Sequence, residues 1–133
     1  MRTVRDVMSG HIEVLRTSET AADAASYLAS HVEESVSLCL SDGSLAGTVS
    51  NRDIVSKVVA KGLDPRAVRL EDLAEPGDML ALEASVTVED ASAYMCRHHK
   101  ARLPVIDGNR VIGTVTQRDV ARSVTFRPSW VES

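Results

Sequence analysis

Gly47-Thr48-Val49-Ser50-Asn51-Arg52-Asp53-Ile54-Val55 returns 66 positions later as Gly113-Thr114-Val115-Thr116-Gln117-Arg118-Asp119-Val120-Ala121. Five of the nine positions are identical and the other four keep their class, so the chain reads as a tandem repeat. Thr48-Val49 and Thr114-Val115 are β-branched pairs ending an apolar run, and Ser50 or Thr116 follows where a helix cap belongs. Asp53 and Asp119 fall three positions on. That is close to the capping-box spacing, although Asp reaches back less well than Glu or Gln. Each nine-mer is expected to be a strand that turns directly into a helix.

This geometry admits two readings. In the plainer one, Ser/Thr and Asp are a helix cap and nothing else. In the other, the unpaired N–H groups and the positive end of the helix dipole face an anion. The hydroxyl, the guanidinium of Arg52 or Arg118 and the carboxylate then take phosphate and ribose oxygens. A carboxylate suits two vicinal sugar hydroxyls, which need an acceptor.

Outward from the nine-mers, the rest of the chain also repeats. Val4-Arg5-Asp6-Val7-Met8 is a short amphipathic turn matched by Leu70-Glu71-Asp72-Leu73-Ala74. Ile12-Glu13-Val14-Leu15 and Met79-Leu80-Ala81-Leu82 alternate enough for short strands. Thr20 or Ser18 caps a helix over 21–31, with Ala21, Ala24, Ala25 and Leu28 on one face. Its copy starts at Thr87 and runs from Val88 to His99, with Val88, Ala91, Met95 and His99 as the matching face, at an offset of 67. Strands follow at 35–40 and 102–106, then the Asp-Gly turns at Asp42-Gly43 and Asp107-Gly108, then strands at 45–49 and 111–115. Gly62 closes the last helix of the first copy, with Pro65 just beyond. The order per copy is β-α-β-β-α.

A strand ending in Gly and two apolar or β-branched residues, then Ser/Thr-x-x-Asp opening a helix, twice in this order of elements, resembles a CBS-domain pair, the Bateman module. The resemblance covers residues 1 to about 124. It implies an α/β (α+β) fold of two repeats related by pseudo-twofold symmetry, residues 1–65 and 66–124, with a tail over 125–133 that holds Phe126 and Trp130. It also implies an adenosyl ligand, AMP, ADP, ATP or S-adenosylmethionine, in a cleft between the repeats. Such modules commonly pair through their helices, so a homodimer is expected, and the Ala/Val-rich helix faces suit close packing. With no effector domain attached, the signal is expected to pass to a separate effector protein. Arg52-Asp53-Ile54-Val55 followed by Gly62-Leu63-Asp64-Pro65 is most similar to small stand-alone actinobacterial CBS proteins of the hypoxic-response type.

The copies are unequally equipped for such a ligand. In the family a basic residue just before the second strand of a repeat often holds phosphates. The second copy offers Arg102, with Lys100 and His99 close by, and keeps the family's Leu-Pro-Val as Leu103-Pro104-Val105. The first has Val36 and Leu38 at the positions of Arg102 and Pro104, after the acidic pair Glu33-Glu34. The stronger site is therefore assigned to Thr116, Arg118, Asp119, Arg102, Lys100, His99 and Pro104, and the weaker to Ser50, Arg52 and Asp53. The competing expectation is a ligand-free CBS dimer that serves as an interaction module.

Composition bounds these readings. At 133 residues, halves of about 65 residues would each be marginal alone, so a shared core is expected. Aromatics are 3% of the chain, which leaves the core to Val, Leu, Ile and Ala. A net charge of −4 without a Lys/Arg stripe argues against nucleic acid as the partner. No segment has the apolar length of a membrane span or a signal peptide, so a cytoplasmic protein is expected. Cys39 and Cys96 lack disulfide or zinc spacing and are expected as buried free thiols. Cys96, His98 and His99 find no further ligand cluster, so no metal is expected. No nucleophile elbow, Walker loop or carboxylate pair in a cleft can be placed, and no cofactor motif either. Asp53 and Asp119 at helix starts favour the ionised form, which opposes a general-acid role. The chain is not expected to be an enzyme.

Overall fold

The structure is a computed structural model describing residues 1–75 and 80–123. Met79, the tail aromatics Phe126 and Trp130 and the end of the second repeat at Val124 lie outside the described residues. The fold is mixed α/β with two three-stranded sheets, as the repeat implies.

Its elements are α1 (Val4–Val7), β1 (Leu15–Arg16), α2 (Ala21–His31), β2 (Ser35–Cys39), β3 (Leu45–Ser50) and α3 (Asn51–Ile54), which widens into a π-helical turn over Val55–Val59. A 3₁₀ turn at Leu70–Asp72 precedes β4 (Leu82–Glu83), α4 (Val88–His98), β5 (Arg102–Asp107), β6 (Arg110–Thr116) and α5, described over Gln117–Ser123. The sheets run β1-β2-β3 and β4-β5-β6. β1 lies parallel to β2 with Leu15 opposite Leu38, and β4 lies parallel to β5 with Leu82 opposite Val105. β1 is shorter than the alternation of residues 12–15 implied, and begins only where Leu15 meets its partner strand.

Two compact units form, and their boundaries cut across the sequence repeats. One is built of Glu13–Leu80 with Gly108–Val111. Its core is Ala21, Ala24 and Leu28 of α2 against Val36, Leu38 and Val49 of the sheet and Ile54 and Val58 of the last helix, closed by Leu70 and Leu73. The turn that leads into the second repeat is thus part of the first repeat's core. Backbone bonds hold it there: Leu70 N–H donates to Glu19 O (2.8 Å), and Glu75 N–H to Thr48 O (3.1 Å). Helix α2 itself follows its sequence signals, with Asp23 N–H on the Thr20 hydroxyl and Ala25 only half-buried. In the last turn, Gly62 takes φ +69°, with Gly62 N–H on Val59 O and Leu63 N–H on Val58 O, a Schellman closure.

The other unit is Met1–Ile12, Ala81–Asp107 and the described residues from Ile112 onward. It repeats the exchange: Val4 N–H donates to Val86 O (2.8 Å) and Ser9 pairs with Thr114 through two bonds of 2.9 Å. Val4, Val88, Ala91, Met95, Val105, Val115 and Val120 form its interior. His99, expected on the buried face of α4, instead caps that helix in the left-handed conformation and is exposed. The bond from Lys100 N–H to Met95 O requires that reversal at residue 99.

Candidate functional site

Ser50 and Asp53 form a complete reciprocal box: Ser50 N–H donates to Asp53 Oδ2 (2.9 Å) and Asp53 N–H to Ser50 Oγ (3.1 Å). Thr116 and Asp119 do the same at 3.0 Å both ways. The box that the spacing suggested is thus closed, even by the shorter Asp side chain. The same pattern recurs at Thr3 and Asp6 and at Thr20 and Asp23, so the box alone marks helix starts rather than a ligand. At Asp6 the bond from Thr3 N–H holds the carboxyl below its usual range.

What surrounds each box differs. Gln117 N–H donates to Ala101 O (2.8 Å), which pins the segment carrying Lys100 and Arg102 at the first residue of α5. The equivalent bond in the first copy, Asn51 N–H to Glu34 O (2.9 Å), pins an acidic segment instead, and Asn51 Nδ2 also reaches Glu33 O. Lys100 and Arg102 are half-buried, while His99, Arg118 and Arg52 are exposed. Pro104 is buried one position before Val105, where β4 begins to pair, so its missing N–H leaves that ladder intact. The strand register corrects one correspondence. Because Leu38 matches Val105, the residues at the positions of Arg102 and Pro104 are Ser35 and Ser37, not Val36 and Leu38. The one-residue offset gained before the helix persists through the strand that follows it. No cation stands at this place in the first copy on either alignment.

A second difference was missed in the sequence. Lys57, one turn after Asp53, places its ammonium 3.4 Å from Asp53 Oδ1 and hydrogen-bonds the Glu75 carboxylate. The Glu75 bond above all, with the Asp53 charge, holds the Lys57 ammonium above its ordinary range. With Oδ2 in the cap, both oxygens of Asp53 are engaged. In the second copy the corresponding residues are Ser123, whose hydroxyl donates to Asp119 O (3.3 Å), and Ser9. Among the described residues, Asp119 forms no ion pair, and its side chain accepts only the cap bond on Oδ2. The 66-residue offset, applied beyond the nine-mers, would have exposed this contrast.

Repetition of topology, lead-in exchange and caps describes a known module, and the CBS-domain family model matches residues 4–60 and 70–125. The chain belongs to the CBS-domain family. This CBS pair is 34% identical over 122 residues to hypoxic response protein 1 of Mycobacterium tuberculosis, covering 92% of this chain and 85% of that protein. A crystal structure of hypoxic response protein I with two coordinated zinc ions matches with a TM-score of 0.72 at 33% identity, covering 93% of this chain and all of that one. The crystal structure of CBSX2 in complex with AMP matches with a TM-score of 0.70 at 26% identity, covering 92% and 96%. As a CBS pair, the chain is a regulatory module.

Among the described residues, no three His, Cys, Asp or Glu side chains gather as metal ligands. Cys39 is buried, which pushes its thiol up, but Cys96 is exposed, contrary to expectation, because it lies on the outer side of α4 from Met95. His98 packs its ring on Tyr94, 4.4 Å between centroids. No described helix is long and apolar enough to cross a membrane.

Proposed function

We propose that this CBS pair is a sensor that takes an adenosyl compound, AMP, ADP, ATP or S-adenosylmethionine, at its second repeat. Asp119 accepts the ribose hydroxyls with Thr116 beside it, while Arg102, Lys100, Arg118 and His99 serve the phosphates, or the carboxylate of S-adenosylmethionine, and Pro104 lines the approach. The observation that carries this reading is the Asp119 carboxylate, which spends Oδ2 on its cap and keeps Oδ1 out of any ion pair among the described residues. The complex of CBSX2 with AMP supports the ligand class.

The output passes to a separate effector protein in the cytoplasm, from a homodimer rather than through catalysis. Val32, Val55 and Val59 are 91%, 59% and 63% exposed beside a groove of about 540 Å³ whose lining joins Ala25, Leu28, Ala29 and Ile54 to Glu33, Glu34 and Asn51, a mixed face that suits a second copy.

A thermal-shift series with AMP, ADP, ATP, S-adenosylmethionine and NADH tests the site. A compound at a hundred times its dissociation constant adds about 2.7 kcal/mol, several degrees for a chain of this size. The shift is expected in the wild type and in Asp53→Ala, and is lost in Asp119→Ala, which otherwise forfeits about 1 kcal/mol as a weakened cap. No shift with any compound at millimolar concentration overturns the sensor and leaves a ligand-free interaction module.

A further inference from the structure

We infer that Lys57 is a built-in occupant of the first repeat's cap carboxylate, closing that copy to ligand and leaving one nucleoside site per chain. This rests on the reading of the cap aspartate as the ribose acceptor. The chemistry of such a site needs one carboxylate oxygen beyond the cap. In the first copy that oxygen, Asp53 Oδ1, faces the Lys57 ammonium at 3.4 Å, and the Asp53 side chain is only 15% exposed. An incoming diol would have to break an ion pair between two opposite charges and replace it with a hydrogen bond from an uncharged hydroxyl.

The ammonium is held from a second side. Glu75 bonds Lys57, and its own position is set by the backbone pair it forms with Thr48, so Lys57 is clamped between the helix and the segment that follows the 3₁₀ turn. If Lys57 swung away, Glu75 would be left beside Asp53, with Glu33 and Glu34 at the helix start. That cluster repels a phosphate. The second copy carries out the same backbone pairing, Ser9 with Thr114, but puts Ser9 and Ser123 where Glu75 and Lys57 stand. The fold is repeated while the occupant is not, so the clamp belongs to the side chains and not to the architecture.

The test is calorimetric titration of the full chain with adenosine, which has the ribose diol and no phosphate. The wild type is expected to bind one adenosine per chain. Lys57→Ser with Glu75→Ser, which copies the second repeat, is expected to bind two. Lys57→Met with Glu75→Gln removes the charges while keeping the side-chain bulk, and gives the same reading should the serine pair fail to fold. Two sites in the wild type, or one site in both charge-free proteins, overturns the inference while leaving the Asp119 site standing. A wild type that binds none beside a variant that binds one upholds the clamp and rejects the Asp119 site. Silence in every protein rejects both.

Discussion

Leu70→Ala is expected to destabilise the protein by about 2–5 kcal/mol, the range for deleting a fully buried leucine side chain. Leu70 is wholly buried although it belongs to a three-residue turn, and with Leu73 it closes a core whose other buried residues belong to the first repeat. Three backbone bonds leave it no room to withdraw: Leu70 N–H to Glu19 O, Glu71 N–H to Thr17 O and Ala74 N–H to Leu70 O. Leu63→Ala is the control, since Leu63 is 48% exposed, and it should cost well under 1 kcal/mol, as surface changes do. Chemical denaturation of the three proteins decides the matter. Equal losses for Leu70→Ala and Leu63→Ala would mean that the second repeat's lead-in is not part of the first repeat's core.

Gly113→Ala is expected to be comparably severe, for a different reason. A Cβ at residue 113 would lie 2.2 Å from Ser9 O, a backbone atom, and 3.2 Å from Met8 Sδ. The two Ser9–Thr114 bonds bring that carbonyl against the strand, so the methyl group and the pairing cannot coexist. Overpacking of this kind costs about 3 kcal/mol, near 10 °C in melting temperature for a chain of this length. At Gly47 the same substitution meets Ala74 Cβ and Glu75 O at 3.3 Å, a clash that a shift of a few tenths of an ångström relieves. Residue 47 also holds φ +157°, where a side chain is strained, so Gly47→Ala is not neutral. It should still lose less than a methyl group forced to 2.2 Å from a backbone oxygen. Thermal melts of the two variants check the ranking, and a Gly113→Ala protein as stable as Gly47→Ala would contradict it.

These two residues also mark what the sequence could and could not reveal. Helix α2 and the start of α4 were legible because their signals are local: Thr20 or Thr87 at the cap and an apolar residue each three or four positions. The strands leading to Ser50 and Thr116 were legible through β-branched runs ended by a polar cap. The glycine that opens each nine-mer was visible as a repeated residue, but its cause was not, because the atom it avoids comes from the other sequence repeat. The exchange of lead-ins was hidden for the same reason: amphipathicity says that Val4 and Leu70 are buried, not against which partner. The widened turn over Val55–Val59 has no periodic signal of its own.

At the site, the residues of the second copy were legible by type, and the structure draws Lys100 and Arg102 to the start of α5 through Ala101. The asymmetry between copies was read from Arg102, Lys100, His99 and the Leu103-Pro104-Val105 run against the acidic pair Glu33-Glu34. Lys57 and Glu75 escaped, because an i,i+4 pair on a helix looks like an ordinary solvated contact until its third member is brought in from 18 residues away. Register decided one further point. Only the pairing of Leu38 and Val105 with the first strands shows that Ser35, not Val36, stands where Arg102 does.

The most direct test of the sensor account is a crystal structure of the chain grown with AMP. The account requires AMP with its ribose hydroxyls within hydrogen-bond distance of the Asp119 carboxylate and its phosphate toward Lys100 and Arg102, with the Asp53–Lys57 contact intact. AMP on Asp53 with Asp119 bare, or no nucleotide on either copy at millimolar concentration, would contradict it.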